Sequence, residues 1–599
     1  MKPKGNSIAL GDYAVPLLLC LTIFLQVSLF QWFCYHNLLI TSLWKAPAHF
    51  LVFWLSKIGI ALFLASFSLL FKRKWWTVAL VAVVSLWSLS NLIYYRANNL
   101  LLSVAAIFMA DNLNGFQSSI LAYWNWQSTV LVLIPIIYSL ILIPLQAPSR
   151  RKPVLFAVLL LLVAIGDIGQ RYLYNRFYDD AISKKLSKYD IFPYLYYGYV
   201  LKITNYLNRL SPENEEKLGD TDKYVMYHSI LANIPQICVY HAIYYSTNKS
   251  SDQMRLSNVQ LPDEVTSLLS PSSDTTCAQP HNNVIVILVE SLESWAIDAT
   301  TDQGKPVAPY LAQLKMKGVY APHIKSQVRE GVSGDGQLIV NTGLLPLRQG
   351  VACMLYGENT YPNIAGRFHT SATLIPTPPN MWNQLVATLS YGYRKTMSPP
   401  VGEVQDNGLF MMSKQWIDTA SQPFCCQLLT ISTHSPFSRI TYRPLHFDSD
   451  LPSNLRDYLN CVHYADSCIG DFMEYLERKG MMDNTIVVIT GDHTIFKSNM
   501  LREYQKAAAK RNYGLQSGHN FVPLIILTPS AEPTTLADTC GQMDIYPTLR
   551  CLIGEELYPW KGFGRNLLDA TSQRPLPEAE AYHWSDMMIR SDWFSSRTE

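Results

Sequence analysis

Long apolar stretches lie only in the first third of this 599-residue chain. A helix needs about 20 mostly apolar residues to cross a hydrocarbon layer roughly 30 Å thick. The stretches that approach or exceed this length are residues 13–35, 50–71, 76–95, 129–145 and 153–168, the last two being the shortest. Tryptophans cluster near their ends, as they do at membrane interfaces. The pattern predicts an N-terminal bundle of about five transmembrane helices within residues 1–170.

Basic residues set the expected orientation of this bundle. Lys2 and Lys4 precede the first stretch, residues 72–74 separate the second from the third, and residues 150–152 separate the fourth from the fifth. The positive-inside rule places these segments in the cytoplasm. Because the number of spans is odd, everything after about residue 170 is expected outside the cytoplasm.

The composition of residues 171–280 is mixed. An aromatic-rich segment at 189–206 is followed by an acidic stretch at 211–222 and a Ser/Thr/Pro-rich segment at 246–280. Interfacial amphipathic helices that lead into a linker fit this composition. An irregular helical extension of the following domain fits it equally well, so both alternatives stay open.

A different pattern begins at residue 281, where short apolar runs alternate with helix-like segments. The runs cover residues 283–289, 427–432, 485–490 and 522–528. Nearly continuous hydrophobicity over such short runs is typical of strands that are buried on both faces of a parallel sheet. We predict an α/β domain with a mainly parallel sheet over residues 281–570, followed by a C-terminal tail at 571–599.

The composition agrees with a chain that is partly embedded in lipid. Charged residues make up 16% and hydrophobic residues 49%, whereas a soluble domain contains about 25% charged residues. The 48 basic and 46 acidic side chains leave a net charge of +2, so no basic field favours nucleic acid as a partner. Eleven cysteines are present without a CxxC pair, which argues against a cysteine-ligated zinc.

Polar, chemically competent side chains follow three of the predicted strands. Glu290 follows the first, His434 comes shortly after the second, and Asp492 and His493 come after the third. Parallel strands end at one edge of a sheet, where such folds bind their ligands. Any one of these residues alone is more simply interpreted as a capping or core group. Together, two carboxylates and an imidazole predict a divalent-cation site with oxygen and nitrogen ligands.

A nucleophile is expected in the segment GVSGDGQ at residues 331–337. Glycines around Ser333 allow a sharp turn, and the apolar run 338–345 indicates a helix that begins just after it. Free N–H groups and the helix dipole at such a position stabilise negative charge, and a nearby metal ion would lower the pKa of the hydroxyl further. By itself, the segment also fits an ordinary solvated turn.

Taken in order, these motifs resemble the alkaline phosphatase and sulfatase superfamily, and within it the lipoteichoic acid synthase branch of membrane phosphoglycerol transferases. The similarity covers about residues 283–568 and rests on NNVIVILVESLESW, REGVSGDGQ, LLTISTHSPF, TIVVITGDH and GQMDIYPTL. It implies an alkaline phosphatase/sulfatase-like fold in a multi-pass protein of the bacterial cytoplasmic membrane, with an extracytoplasmic catalytic domain. It also implies one divalent cation, with manganese or magnesium favoured in this branch and zinc found in phosphatase relatives.

The resemblance also assigns roles by matching motif. Glu290, Asp492 and His493 correspond to metal ligands, and Ser333 corresponds to a nucleophile that also binds the metal. His434 corresponds to the histidine that contacts the substrate phosphate. An imidazole at that point is also suited to protonating a leaving oxygen.

The sequence departs from the branch pattern near the expected nucleophile. The branch typically has threonine in a GKTSD-like turn, whereas here Ser333 follows Val332, which replaces the lysine. A family tryptophan–arginine motif is not found within residues 398–408. His519 stands where some relatives place a further metal or substrate group, an ordinary loop histidine being the alternative. The x-Pro-x-Arg signature of sulfatases does not follow Ser333, so sulfate ester hydrolysis is disfavoured.

The resemblance implies transfer of a phosphoalkyl headgroup, with phosphoglycerol favoured, from a phospholipid donor to an envelope glycan or lipid. The intermediate would be a phosphoserine at Ser333. One alternative is phosphoethanolamine transfer by the same core chemistry, and a second is an extracytoplasmic phosphodiesterase or phosphatase with water as the acceptor. A third, from a different class, is a metal-free scaffold. The acceptor, the bound ion and the oligomeric state stay open.

Overall fold

A computed structural model of the chain describes residues 11–43, 47–98, 124–146, 152–163, 260–268 and 280–594, the last range with gaps at 348–349, 380, 400–404, 438–439, 442, 496–506, 512, 514–520, 530–531 and 555–557. The described residues belong to two compact units, one N-terminal and one that contains the residues from 260 onward. The predicted interfacial and linker region at 171–280 lies almost entirely outside the described residues.

Each of the predicted apolar stretches contains a helix. The helices are α1 (Gly11–Leu43), α2 (Pro47–Ser66), α3 (Trp76–Asn98), α4 (Trp126–Leu142) and α5 (Pro153–Val163). Two segments, Tyr13–Phe30 and Trp76–Arg96, are long and apolar enough to cross a membrane, and shorter apolar segments lie at Lys57–Leu69, Trp126–Leu142 and Pro153–Val163. The end of the fifth predicted span, 164–168, lies outside the described residues. Membrane crossing by all five stretches therefore stays a prediction.

The helices of this unit are apolar on both their inner and their outer faces. Inside the unit, α1 packs against α2 and α3, and α4 packs against α3. Large apolar side chains also point outward, including Leu17, Leu21, Val83, Leu86 and Leu140. An exposed apolar face of this kind is typical of helices that contact lipid.

In the second unit, the strands that the structure describes form a single nine-stranded sheet. The strands are β1 (Asn283–Val289), β2 (Val319–Lys325), β3 (Thr370–Leu374), β4 (Lys395–Met397), β5 (Phe424–Leu429), β6 (Thr485–Gly491), β7 (Phe521–Leu527), β8 (Thr534–Thr535) and β9 (Cys540–Gly541). The order across the sheet is β4-β3-β5-β1-β6-β7-β2-β8, and β9 also pairs with β2.

The sheet is mainly parallel, as the sequence predicts, with one exception. Strands β4, β3, β5, β1 and β6 are parallel neighbours, whereas β7 is antiparallel to both β6 and β2. Strands β1, β5 and β6 therefore end at one edge of the sheet, and β7 begins there. Strand β5 ends at Leu429 rather than at the predicted residue 432. The backbone N–H groups of Ile431 and Ser432 bind the side chain of Asp406 instead of continuing the sheet.

Helices cover both faces of the sheet. The main helices are α6 (Pro309–Lys317), α7 (Ser333–Thr342), α8 (Gln384–Ser390), α9 (Asp406–Thr419), α10 (Ser453–Arg478), α11 (Ile545–Ile553) and α12 (Glu578–Arg590). Four-residue helices lie at Asp263–Thr266, Ser294–Ile297 and Ala352–Leu355. Alternate residues of β1 enter two separate cores, one with α7, α8, α11 and α12 and the other with α6, α9 and α10. The result is a three-layer α/β/α arrangement.

The described residues after 571 belong to this fold and do not form the predicted tail. Helix α12 contributes Ala581 and Met588 to the core. Just before it, Arg574 makes an ion pair with the fully buried Asp544 at 2.6 Å. Apolar burial and a buried ion pair bind this segment to the sheet, because both would be costly to expose or to break.

Candidate active site

The residues that follow β1 form the first wall of the site. Glu290 is buried, and its backbone N–H donates to Oγ1 of Thr430 at 2.9 Å. Its carbonyl accepts a hydrogen bond from the hydroxyl of Thr433. The next residue, Ser291, has a positive φ of 52°, which turns the chain sharply out of the strand. The side chain of Glu290 is therefore fixed at the carboxyl edge of the sheet.

The residues that follow β6 form the second wall. Oδ1 of Asp492 accepts backbone N–H groups from Ser291 and from His493, each at 2.8 Å. Nε2 of His493 lies 3.3 Å from Oε1 of Glu290 and 3.7 Å from Oδ1 of Asp492. Each of the three side chains offers one atom that could bind a metal ion, and these three atoms all lie within 4.8 Å of one another. Parallel pairing of β1 and β6 brings these donors together although they are about 200 residues apart in the chain.

Ser333 lies between these walls, at the N-terminus of α7. Its hydroxyl donates to Oε2 of Glu290 at 3.0 Å. Helix α7 begins at Ser333 itself, where the sequence placed a serine at a helix N-terminus, so the serine belongs to the first turn. The helix dipole at this N-terminus favours an anion there.

The turn before Ser333 is strained and tightly packed. Val332 has a φ of 44°, a conformation that is uncommon for a β-branched residue. Three residues after Ser333, at Gly336, helix α7 approaches the end of β6 closely. A Cβ atom on Gly336 would lie 2.6 Å from the carbonyl oxygen of Asp492. Glycine at this position therefore sets the distance between the serine turn and the buried carboxylates.

The charges of the buried cluster depend strongly on one another. Burial and the neighbouring Glu290 carboxylate raise the pKa of Asp492 to about 7. Burial lowers the pKa of His493, but Asp492 and Glu290 outweigh this effect and raise that pKa to about 9. Burial also raises the pKa of Glu290, but the charge and hydrogen bond of His493 hold it well below its usual range. A positive charge among the carboxylates is thus favourable.

This donor set fits a divalent cation. Two carboxylates and one imidazole provide the oxygen and nitrogen ligands that manganese, zinc and related ions accept. A cation among Glu290, Asp492 and His493 would supply the positive charge that a proton on His493 supplies otherwise. The hydroxyl of Ser333, already in contact with Glu290, is near enough to share such a site.

Two further histidines were predicted from the sequence as site residues, His434 and His519, and the structure describes only the first. His434 follows β5, is half-buried, and places Nδ1 2.6 Å from the carbonyl oxygen of Ser435. Its charge helps to lower the pKa of Glu290, so it belongs to the surroundings of the cluster. His519 lies outside the described residues, as do residues 400–404 of the segment in which a tryptophan–arginine motif was sought.

Three buried carboxylates that support the site were not singled out from the sequence. Glu293 accepts the indole N–H of Trp295 and the backbone N–H of Ile495, which connects the loop after β1 to the loop after β6. Asp406 holds the segment that leads to His434. Asp335 binds the backbone that precedes Ser333. For Glu293 and Asp335, the only sequence signal was an acidic residue inside an otherwise apolar or glycine-rich motif.

Comparisons with known proteins match two families along the chain. The Lipoteichoic acid synthase N-terminal domain family matches residues 2–202, and the Sulfatase family matches residues 350–554. The second match includes Asp492 and His493 and begins after Glu290 and Ser333.

The chain is also similar to individual proteins. The chain is 24% identical to Lipoteichoic acid synthase 2 of Bacillus subtilis (strain 168), over 88% of this chain and 80% of the relative. It is 26% identical to Lipoteichoic acid synthase 1 of the same organism over 50% of each chain, so it spans about half the length of that relative. The crystal structure of the lipoteichoic acid synthase LtaP from Listeria monocytogenes has 19% identity and a TM-score of 0.43, over 59% of this chain and 97% of that one. The chain therefore combines a lipoteichoic acid synthase N-terminal domain with a sulfatase domain of the alkaline phosphatase superfamily.

Proposed function

We propose that this protein is a metal-dependent membrane phosphotransferase that moves a phosphoglycerol headgroup from a phospholipid to an envelope glycan or lipid. The observation that carries the proposal is the 3.0 Å hydrogen bond between Ser333 Oγ and Glu290 Oε2, beside Asp492 and His493. A serine at a helix N-terminus, next to a cluster that fits a cation, is suited to nucleophilic attack on phosphorus.

The relatives support the same class of reaction. The named relatives are lipoteichoic acid synthases, which are enzymes, and one of them aligns with most of this chain. The match of residues 2–202 to the N-terminal domain of those enzymes also supports a membrane location. A donor that is itself a membrane lipid agrees with an active site attached to membrane helices.

In this proposal, Glu290, Asp492, His493 and Ser333 hold one divalent cation, with manganese or magnesium favoured over zinc. When bound, such an ion supplies positive charge that lowers the pKa of a serine hydroxyl and neutralises phosphoryl oxygens. The backbone N–H groups of the first turn of α7 add to this stabilisation at the phosphoryl group.

The first half of the reaction forms a phosphoserine. Oγ of Ser333 attacks the phosphorus of the phospholipid headgroup, and the bond from phosphorus to the diacylglycerol oxygen breaks. The serine proton passes to water, and the leaving oxygen gains a proton from Nε2 of His434. His434 enters this step as an imidazolium: its Nδ1–H donates to the Ser435 carbonyl, and its Nε2–H is the proton that the leaving oxygen takes.

The second half transfers the headgroup to its acceptor. The acceptor hydroxyl gives its proton to Nε2 of His434 as its oxygen attacks phosphorus. The bond from phosphorus to Ser333 Oγ breaks, and the serine regains a proton from water. Protons and bonds then balance over the two steps, and the donor and the acceptor never need to occupy the site together.

The proposal assigns the N-terminal unit to the membrane and the α/β unit to the extracytoplasmic side. Five spans within residues 1–170 would anchor the chain in the bacterial cytoplasmic membrane, and residues 281–570, extended by α12, would form the extracytoplasmic catalytic domain. Outward-facing apolar side chains on α1, α3 and α4 support the anchoring. Residues 171–280 would connect the two, and His519 stays a possible further substrate or metal group.

The test is intact-mass analysis of the full-length protein in detergent. The protein is incubated with Mn²⁺ and an equal mixture of phosphatidylglycerol and phosphatidylethanolamine. We expect a glycerophosphoryl adduct on the wild-type chain and none on Ser333→Ala. Ser467→Ala is a matched control, because this exposed serine on α10 lies outside the site.

Each other outcome of this experiment has a defined meaning. A phosphoethanolamine adduct identifies the alternative donor, and headgroup phosphate released without an acceptor identifies a hydrolase. A manganese-loaded protein that neither forms an adduct nor releases headgroup overturns the proposal, and a protein that binds no divalent cation favours the scaffold.

A further inference from the structure

Asp335 makes an unusual connection in the first turn of α7. Its Oδ2 accepts the backbone N–H of Arg329 at 2.8 Å and that of Gly331 at 3.0 Å. Acidic residues at the third position of a helix commonly accept an N–H at the helix start. Here the side chain reaches further back, to two residues that precede the helix. It thereby closes the chain into a loop that contains Val332 and Ser333.

The other oxygen of Asp335 makes this arrangement costly. Oδ1 is buried, and among the described residues no atom forms a hydrogen bond with it. A buried carboxylate oxygen without a partner costs free energy. Stability alone therefore does not account for a carboxylate at this position.

The contacts around Asp335 leave the turn with little freedom. A Cβ atom on Gly331 would lie 2.2 Å from Oδ1 of Asp335 and 2.9 Å from Cγ1 of Val351. The N–H of Gly334 also donates to the carbonyl of Gly331 at 2.8 Å. Strained backbone such as that of Val332 persists only where its surroundings determine it fully. The Asp335 carboxylate is one of the groups that do so.

We propose that Asp335 is a positioning residue for the reaction of Ser333. By binding the N–H groups of Arg329 and Gly331, it maintains the strained turn that directs the serine Oγ toward Glu290. This inference rests on the proposed function, because positioning has a catalytic meaning only if Ser333 is the nucleophile.

The test compares Asp335→Ala and Asp335→Asn in the full-length protein with a matched pair at Asp466. Asp466 is also a fully buried aspartate, and it accepts the backbone N–H groups of Tyr310 and Leu311 at 3.1 and 2.7 Å. Replacing it removes the same number of backbone hydrogen bonds at the start of α6. Asp466→Ala therefore measures the effect of lost stability alone.

We expect Asp335→Ala to lower the kcat of headgroup transfer about 100-fold with little change in KM, because a small misplacement of a reacting group has an effect of this size. Asp335→Asn is expected to keep kcat within about tenfold of wild type. Its amide oxygen still accepts both N–H groups, and its NH₂ replaces the oxygen that has no partner. Rates are expressed per chain that forms the Ser333 adduct at the end point, so unfolded protein does not contribute.

Hydrogen exchange gives a second readout that does not depend on activity. Deuterium uptake of the peptide that covers residues 329–335 should rise in Asp335→Ala and stay near wild type in Asp335→Asn. If the alanine variant does not fold, the asparagine variant carries the test. An asparagine variant as inactive as Ser333→Ala contradicts the proposal.

The proposal is also overturned if Asp335→Ala keeps the wild-type kcat, loses no more than Asp466→Ala, or shows unchanged exchange at 329–335. These outcomes are distinct from failure of the proposed function. If the proposed function fails, the wild-type protein itself forms no adduct at Ser333. The exchange measurement alone then decides whether Asp335 maintains the turn.

Discussion

At the scale of single residues, the cluster at the sheet edge brings like charges together in a buried place. The carboxylates of Glu290 and Asp492 are both buried. Nε2 of His493 lies 3.3 Å from Oε1 of Glu290 and 3.7 Å from Oδ1 of Asp492. Two adjacent carboxylates raise each other's pKa unless a positive charge is near. The arrangement is therefore more stable with a cation than without one.

This charge balance predicts that a divalent cation stabilises the folded protein. At about 100 times its dissociation constant, Mn²⁺ should raise the free energy of unfolding by roughly 2.7 kcal/mol, because it binds the folded chain alone. Asp492→Asn should weaken binding at least about tenfold, since even supporting groups around a metal contribute that much. Thermal unfolding with added Mn²⁺ or chelator, together with titration calorimetry, measures both effects.

Asp466→Asn is the control for this prediction, because it changes a buried aspartate that accepts two backbone N–H groups at the start of α6 and does not belong to the Glu290–Asp492–His493 cluster. It should retain the full response to Mn²⁺. A wild-type protein whose unfolding temperature is unaffected by manganese, magnesium and zinc would contradict the prediction.

Single residues also show how far sequence reasoning reaches. Glu290, Asp492 and His493 stand directly after apolar runs, so their place at a strand end could be predicted from pattern alone. The role of Asp335 could not, because it depends on which backbone N–H groups the folded turn leaves without partners. The same holds for Glu293, because Ile495, whose backbone N–H it accepts, lies about 200 residues further along the chain.

At the scale of elements, the approach of α7 to the end of β6 brings the serine to the carboxylates. The backbone of the helix lies so close to Asp492 that no side chain fits at Gly336. A Cβ on Gly334, by contrast, would lie 3.3 Å from the sulfur of Cys353 and 3.8 Å from Cγ1 of Val351. A larger residue at Gly336 must therefore move the helix, and Ser333 moves with it.

Gly336→Ala is accordingly expected to reduce headgroup transfer about 100-fold, because Ser333 is displaced by a fraction of an ångström or more from its partners. Gly334→Ala should have a much smaller effect, since a sulfur atom can shift by a few tenths of an ångström. Initial rates of transfer and the unfolding temperature are measured for both variants. Equal rates in the two variants would show that the close contact at Gly336 does not position the serine.

The elements of the sheet were predicted unevenly. Strands β1, β6 and β7 match long apolar runs, because both of their faces are covered by helices. Strand β2 contains a proline and a histidine, and β4 has only three residues at the edge of the sheet, so neither produces such a run. The reversed direction of β7 depends on pairing with β6 and β2, which no local pattern encodes.

At the scale of the whole molecule, one chain contains an apolar helical unit and an α/β unit, and the basic segments predict on which side of a membrane each part lies. Arg73 lies in the exposed turn between α2 and α3, and Gln415 is exposed on α9 of the α/β unit. If the positive-inside rule holds here, these two positions face opposite compartments.

Cysteine labelling in intact cells tests this arrangement. A membrane-impermeant maleimide should react with Gln415→Cys directly, and with Arg73→Cys only after the membrane is permeabilised. The wild-type chain provides the background from its own cysteines. Labelling of Gln415→Cys only after permeabilisation would place the α/β unit in the cytoplasm and contradict the proposed function.

The sequence by itself determined the apolar character of the N-terminal helices, the α/β class of residues 281–570 and the identity of the candidate groups. Hydrophobic periodicity and charge reflect how each segment meets lipid, core or water, and these are local properties. Only the tertiary structure decided that Ser333 lies beside Glu290, that Asp335 binds the turn before the helix, and that α12 completes the core instead of trailing from it. The first and the last of these depend on contacts between segments far apart in the chain, which the parallel pairing of strands and the packing of helices create.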